Sequence, residues 1–434
     1  MTVKRNTIFF LSVTLFSSIL NAKVEGNMIG GEPVEIWKDG GQDFFVMFNS
    51  NIDNKFVLFG EDHENPQGDT CVDKSSFTLT DFNIPEDAII EKAYLVWMGA
   101  VDPEKLDQPT DNSVKLRFQQ SGDEPVIHEQ TVKAGTTGKL LTDPGSFEFE
   151  PILFTDDVEQ GCTETEGGVL IKDTPLGYFT YRVDITDFFD NIEKKNSDAQ
   201  KTDKGLYYGE YEFSGLDCTE HDNYRCKTTM VSSWAVFFVY RSTKVLTKKI
   251  YLYSGFSFVQ GDKSTFNVSG FNLPALPVVR LTAMVAEGDP KLVEPAFPAE
   301  GIFLQGEGVA SRFRLFNECN PLMGTYVEVF NSVSSVLNWN SDAAEKIKCV
   351  SGPDDEKTNY GIDVDTFILD SNSNENLKEH LKKGNTSFDI TLSVNQDAIF
   401  TNFMVVSVDS GASRFDIPPE ASDTAKSKYN FPLD

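Results

Sequence analysis

Two aspartates placed two residues apart offer the most direct chemistry in this chain. In GIDVDTF (361–367), Asp363 and Asp365 stand one strand repeat apart, so an extended backbone puts both carboxylates on one face. VDITDF (183–188) holds Asp184 and Asp187 in a comparable place. Carboxylates grouped like this are donors for a calcium ion, which takes carboxylate, amide and carbonyl oxygens. The loops NIDNKF (51–56) and GEDHENPQGDTCVD (60–73) carry further oxygen donors. The alternative is local: the same aspartates can cap a turn or a short helix by accepting backbone N–H bonds. The run FFDNI after Asp187 fits that second use. No segment has the spacing of an EF-hand loop.

Catalytic signals are few. Four histidines, His63, His128, His221 and His380, are scattered without metal or nucleophile spacing. There is no GxSxG, no HExxH, no phosphate-binding loop and no GxGxxG after a strand. We therefore expect no enzyme. Trp339, in the polar stretch VLNWNSD, is the tryptophan placed to stack on a sugar, whereas Trp97 and Trp234 lie inside apolar strand runs and read as core.

The elements that must hold these residues are mainly strands. DFFVMF (43–48), KFVLFG (55–60), KAYLVWMG (92–99), SVKLRF (113–118), YFTYRVDI (178–185), WAVFFVYR (234–241) and KKIYLYSGF (248–256) are rich in β-branched and aromatic residues and bounded by turn formers. In TSFDITLSV (386–394), Phe388, Ile390, Leu392 and Val394 alternate onto one face. WAVFFVY is apolar throughout, as in a strand covered on both faces. Helix signals are confined to 185–201 and to ENLKEHLKKG (375–384), the second with Gly384 as its C-cap.

The chain also repeats. Residues 75–99 (SSFTLTDFNIPEDAIIEKAYLVWMG) return without a gap as 264–288 (STFNVSGFNLPALPVVRLTAMVAEG). VDITDF then resembles IDVDTF (362–367), and SSWAVFFVYRS (232–242) resembles FTNFMVVSVDS (400–410). Two long copies imply tandem domains, since a solenoid needs more and shorter units. We expect an all-β chain of two tandem antiparallel β-sandwich, jelly-roll-like domains related by internal duplication, with short helical covers. The expected division is 23–243 and 244–413, followed by a polar tail at 414–434.

The first 22 residues have a basic start (Lys4, Arg5), an apolar run from Ile8 to Leu20 and a small residue at Ala22, the pattern of a secretory signal peptide. No later apolar run approaches the roughly 20 residues of a membrane helix. No integral membrane segment is expected after cleavage. The net charge is −29 and becomes −31 once Lys4 and Arg5 leave with the leader. So negative a chain repels nucleic acid. The six cysteines, Cys71, Cys162, Cys218, Cys226, Cys319 and Cys349, form no CxxC pair, so zinc is not expected. In an exported chain an even number favours disulfides. Pairing neighbours within each repeat suggests Cys71–Cys162, Cys218–Cys226 and Cys319–Cys349.

Taken in order, IIEKAYLVWMGA, SSWAVFFVYRS, KKIYLYSGF, AEGDP and GIDVDTF resemble a group of uncharacterised, exported bacterial surface proteins of gliding and predatory bacteria. These carry β-sandwich domains of unassigned function, and the resemblance covers most of 75–410. It implies secretion and a place on the outer surface of the cell envelope or in the medium, with the periplasm a further alternative. It transfers no active site. The expected role is structural or adhesive, with a cell-surface protein or polysaccharide as partner. The alternative is a calcium-dependent carbohydrate-binding module, with Ca2+ as the only cofactor in view.

Overall fold

A computed structural model describes residues 35–37, 42–50, 73–101, 111–122, 125–134, 146–148, 177–198, 205–216, 232–245, 248–260, 263–286, 301–322, 329–330, 334–338, 346–349, 362–394 and 398–409. The first part of the chain supplies β1 (Glu35–Trp37), β2 (Gln42–Ser50), β3 (Lys74–Leu79), β4 (Ile89–Val101), β5 (Ser113–Gln120), β6 (Ile127–Lys133), β7 (Ser146–Glu148) and β8 (Gly177–Asp184). Helix α1 (Thr186–Asp198), β9 (Gly209–Ser214) and β10 (Ser232–Arg241) follow. The second part supplies β11 (Lys248–Gln260), β12 (Lys263–Ser269), β13 (Val278–Ala286), β14 (Gly301–Gly306), β15 (Phe313–Arg314), β16 (Ser335–Asn338), β17 (Lys346–Cys349) and β18 (Ile362–Asp370). It closes with helix α2 (Glu375–His380), β19 (Ser387–Ser393) and β20 (Ala398–Asp409).

Both parts wind alike. In the first, the sheet β2-β10-β4-β8 faces the sheet β3-β9-β5-β6; in the second, β11-β20-β13-β18 faces β12-β19-β14-β15. First strand beside last, with the second beside the next to last, is jelly-roll winding. The chain is all-β, two antiparallel jelly-roll sandwiches in tandem. Each helix follows the sixth strand of its roll. Additions differ: β7 extends the first inner sheet beyond β8, and the hairpin β16–β17 precedes β18 in the second. Strand β1 comes from the N-terminal side of the first roll yet pairs with β11 of the second.

The sheets stack as four layers, because the two inner sheets turn apolar faces toward each other. Phe44, Val46, Val96, Met98 and Phe237 of one meet Ile250, Leu252, Met284, Phe403 and Val405 of the other in one buried cluster. The opposite faces of the inner sheets close each sandwich core, Trp97 and Trp234 in the first and Leu281, Val406 and Val408 in the second. Strand β10 is therefore buried on both sides, which is why WAVFFVY shows no alternation. Along β19 and the residue after it, Phe388, Ile390, Leu392 and Val394 do share the core face.

The repeat is less regular in space than in letters. Lys92 pairs with Val239 and Ile90 with Tyr240, so Glu91 is the extra residue of a β-bulge. The ladder of β13 runs unbroken from Val279 to Met284. Beyond Glu91 the frame slips by one. Leu95 faces its own sandwich core while Met284, its partner in the gapless alignment, faces the other sheet. The spatial equivalents are Leu95 with Ala283 and Trp97 with Val285. Helix α2 also ends sooner than Gly384: its last residue is His380, and the N–H of Leu381 donates to Leu377 O. Gly384, at φ +88°, instead makes the turn that lets its N–H reach Leu273 O at 2.9 Å.

Candidate functional site: two carboxylates inside the second sandwich

Asp363 and Asp365 lie in β18, opposite Val285 and Ala283 of β13, whose side chains line the second core. They are 1% and 2% exposed. They cap neither a turn nor a helix; Asp370, at the end of the strand, takes that role by accepting from the N–H of Asn372 at 2.8 Å. At the equivalent ladder positions the first sandwich has Tyr181 and Val183, both packed on its core. The jelly roll itself thus asks for apolar groups here, and two carboxylates replace them.

A polar cover sits over the pair. Asn317 folds its own turn, its Oδ1 accepting from the N–H groups of Cys319 at 2.8 Å and Asn320 at 2.7 Å. That turn aims the Asn320 amide at Asp365 Oδ1, at 2.8 Å, and Ser335 Oγ donates to the same oxygen at 2.9 Å. Asp365 Oδ2, equally buried, accepts no hydrogen bond. Burial without a facing cation pushes the Asp365 carboxyl up to about 8, and the bonds from Ser335 and Asn320 only partly offset it. The disulfide Cys319–Cys349 ties the turn to β17, with 5.4 Å between Cα atoms. It is the pairing expected from the spacing; Cys71, Cys162, Cys218 and Cys226 lie outside the described residues.

The same cover seals the edge of the inner sheet. The N–H groups of Val364 and Thr366 donate to Ser334 Oγ at 3.0 Å and Ser335 Oγ at 2.8 Å. Asn317 Nδ2 donates to Thr366 O at 2.9 Å, and Ser334 Oγ to Ile362 O at 3.3 Å. Side chains do here what a neighbouring strand would do. None of these four cover residues stands out in the sequence. The one available signal was Cys319 within NECN, whose half of a disulfide fixes the turn.

The other aspartates are elsewhere. Asp184 closes β8 and accepts from the N–H and hydroxyl of Thr186 at 2.9 and 2.6 Å, starting α1, while Lys92 pairs with it. Burial alone would raise its carboxyl, but the bonds from Lys92 and Thr186 hold it below the ordinary value. Asp187 lies in the first turn of α1, where a negative charge suits the helix dipole. The two pairs do not converge on one site. Among the described residues no three or more of His, Cys, Asp and Glu gather as a metal group. Trp339, His63, His221 and the loops 51–56 and 60–72 lie outside the described residues.

A second buried charge cluster joins the two rolls. Asp43 of β2 receives Arg280 Nη2 at 2.5 Å on one oxygen, and Arg280 Nη1 at 3.2 Å and Lys248 Nζ at 2.9 Å on the other. The guanidinium also lies 4.2 Å from the Phe44 ring centroid.

Each helix meets its roll through a histidine. His128 of β6 packs on Phe188 of α1, ring centroids 4.8 Å apart. His380 of α2 accepts from the N–H of Gly306 through Nδ1 at 3.2 Å, an arrangement that needs the neutral ring. Burial holds both below the ordinary histidine value; Lys195 adds to this for His128, while for His380 Glu379 opposes it and Lys382 adds to it. A group held low in the folded state contributes stability that is present above its unfolded value, about 6.5, and is lost as pH falls toward the folded one. His380→Gln keeps an acceptor for Gly306. We expect its acid unfolding curve to be flatter than the wild type's below about pH 6.5, by up to about 1.4 kcal/mol per pH unit in slope. Identical slopes in urea melts across pH would refute this.

No family model matches the sequence, and no curated protein matches it. Among solved structures, the major capsid protein P2 from Bacteriophage PM2 aligns over 86% of this chain and 99% of its own at 8% identity. The TM-score is 0.18. A superposition that shallow carries no argument. Among the described residues no helix is long and apolar enough to cross a membrane.

Proposed function

We propose that this chain is an exported, non-enzymatic surface protein with a structural or adhesive role, of the group its sequence resembles. The observation that carries the reading is the joint between the rolls. Apolar inner sheets and the Asp43–Arg280–Lys248 cluster fuse two jelly rolls into one block, leaving the loops and the outer sheets as presenting surfaces. Such a body holds distant loops at fixed separation, which suits a scaffold or an adhesin. The Cys319–Cys349 bond supports export, because disulfides persist in oxidising compartments. The shared winding of the rolls supports descent from one copied segment.

Fractionation of cells expressing a tagged chain tests the proposal. Recovery from the medium or from a protease-accessible surface fraction is the expected result, and retention in the cytosol with the leader uncut would overturn it. A calcium-dependent carbohydrate-binding module is the second reading, favoured by Asp363 and Asp365. A glycan array read with calcium and with chelator separates the two.

A further inference from the structure

The molecule buries carboxylates in two ways, and the contrast is informative. Asp43 is enclosed with a guanidinium and an ammonium. Asp365 is as deeply enclosed, but its hydrogen bonds come from an amide and a hydroxyl, both neutral. An unpaired carboxylate in a sandwich core costs several kcal/mol, and Asp363 shares its face one strand repeat away. Nothing in the winding requires either, since Tyr181 and Val183 fill the matching positions of the first roll. Asp365 Oδ2 is buried with no hydrogen-bond donor, in a residue only 2% exposed.

We propose that Asp363 and Asp365, with the amide oxygen of Asn320, hold a hard divalent cation of the calcium type inside the second sandwich. The donor set is all oxygen, with two negative charges to balance two positive ones, which is the chemistry calcium selects and zinc does not. The cover makes the site a clasp. The ion would draw the Asn317–Asn320 turn onto β18, with the Cys319–Cys349 bond holding the turn against β17. Binding of this sort stabilises the folded state and nothing else.

The proposal takes one thing from the reading above, the calcium-rich surroundings of an exported protein. Loss of export with binding intact in vitro would sink that reading and leave the site standing. The test uses the leader-free full chain, melted and titrated calorimetrically in calcium and in excess chelator. We expect the wild type to melt several degrees higher in calcium and to take up one ion per chain at the site. Asp365→Asn and Asp363→Asn, nearly isosteric, should fold and lose both responses, whereas Asp184→Asn should keep them. Two results overturn the proposal. One is a wild type whose melt and titration ignore calcium. The other is an Asp365→Asn chain that still responds as the wild type does.

Discussion

Asp43→Ala should lower the unfolding free energy by about 3–5 kcal/mol, the cost of leaving buried cations without their counter-ion. Arg280 and Lys248 would both lose the carboxylate that now takes three of their hydrogen bonds. Arg280 is 1% exposed and Lys248 5%, so neither can turn outward to water without opening the joint. The N–H of Phe44, which donates to Asp43 Oδ1 at 2.8 Å, loses its partner as well. The urea midpoint should fall at unchanged slope, and the effect should persist in high salt, which screens surface pairs and spares buried ones. Replacing Asp43, Lys248 and Arg280 together with Leu, Met and Met should recover most of the loss, because apolar groups of similar volume carry no desolvation penalty. A single alanine that costs under about 1 kcal/mol would show the cluster to be hydrated.

Phe237→Ala should cost a similar amount, about 3–5 kcal/mol, by lost transfer energy and a cavity. Its distinctive consequence concerns cooperativity. Phe237 stands in the middle of the layer between the inner sheets, stacked on Tyr94 at 6.4 Å and tilted against Phe44 at 6.0 Å. Its neighbour Phe238 faces the first sandwich core instead. Phe238→Ala is expected to lower the melting temperature and keep one calorimetric transition. Phe237→Ala weakens the coupling itself, so the two rolls should begin to unfold as two resolved transitions. One transition in both variants would mean that the rolls are joined chiefly by the ion cluster and the β1–β11 pairing.

The letters carried the layers better than the joints. Alternation in β19 and its absence in β10 announced which strands have one buried face and which have two, since side-chain period follows the pleat. The repeated FN-x-P turns announced two units. The bulge at Glu91 was invisible, because one inserted residue leaves the apolar run intact while turning every later side chain over. Asp184 and Asp187 are not the spatial counterparts of Asp363 and Asp365, whose ladder positions in the first roll are held by Tyr181 and Val183. Asp43, Lys248 and Arg280 meet across 205 and 237 residues of chain, a proximity no local pattern encodes. Arg280, a lone charge within VVRLTAMV, was the one trace of it. For Asp363 and Asp365 the strand face was legible, but not that the face is the inner one.

The fringe of hydroxyls and amides along β18 decides how copies of this chain can meet. An incoming strand would find the backbone groups of Ile362, Val364 and Thr366 already taken. No cross-β ribbon can start from that margin, even where the protein is crowded. A neighbouring copy that meets this side of the block must therefore engage it through side chains and loops, not through a strand added to β18.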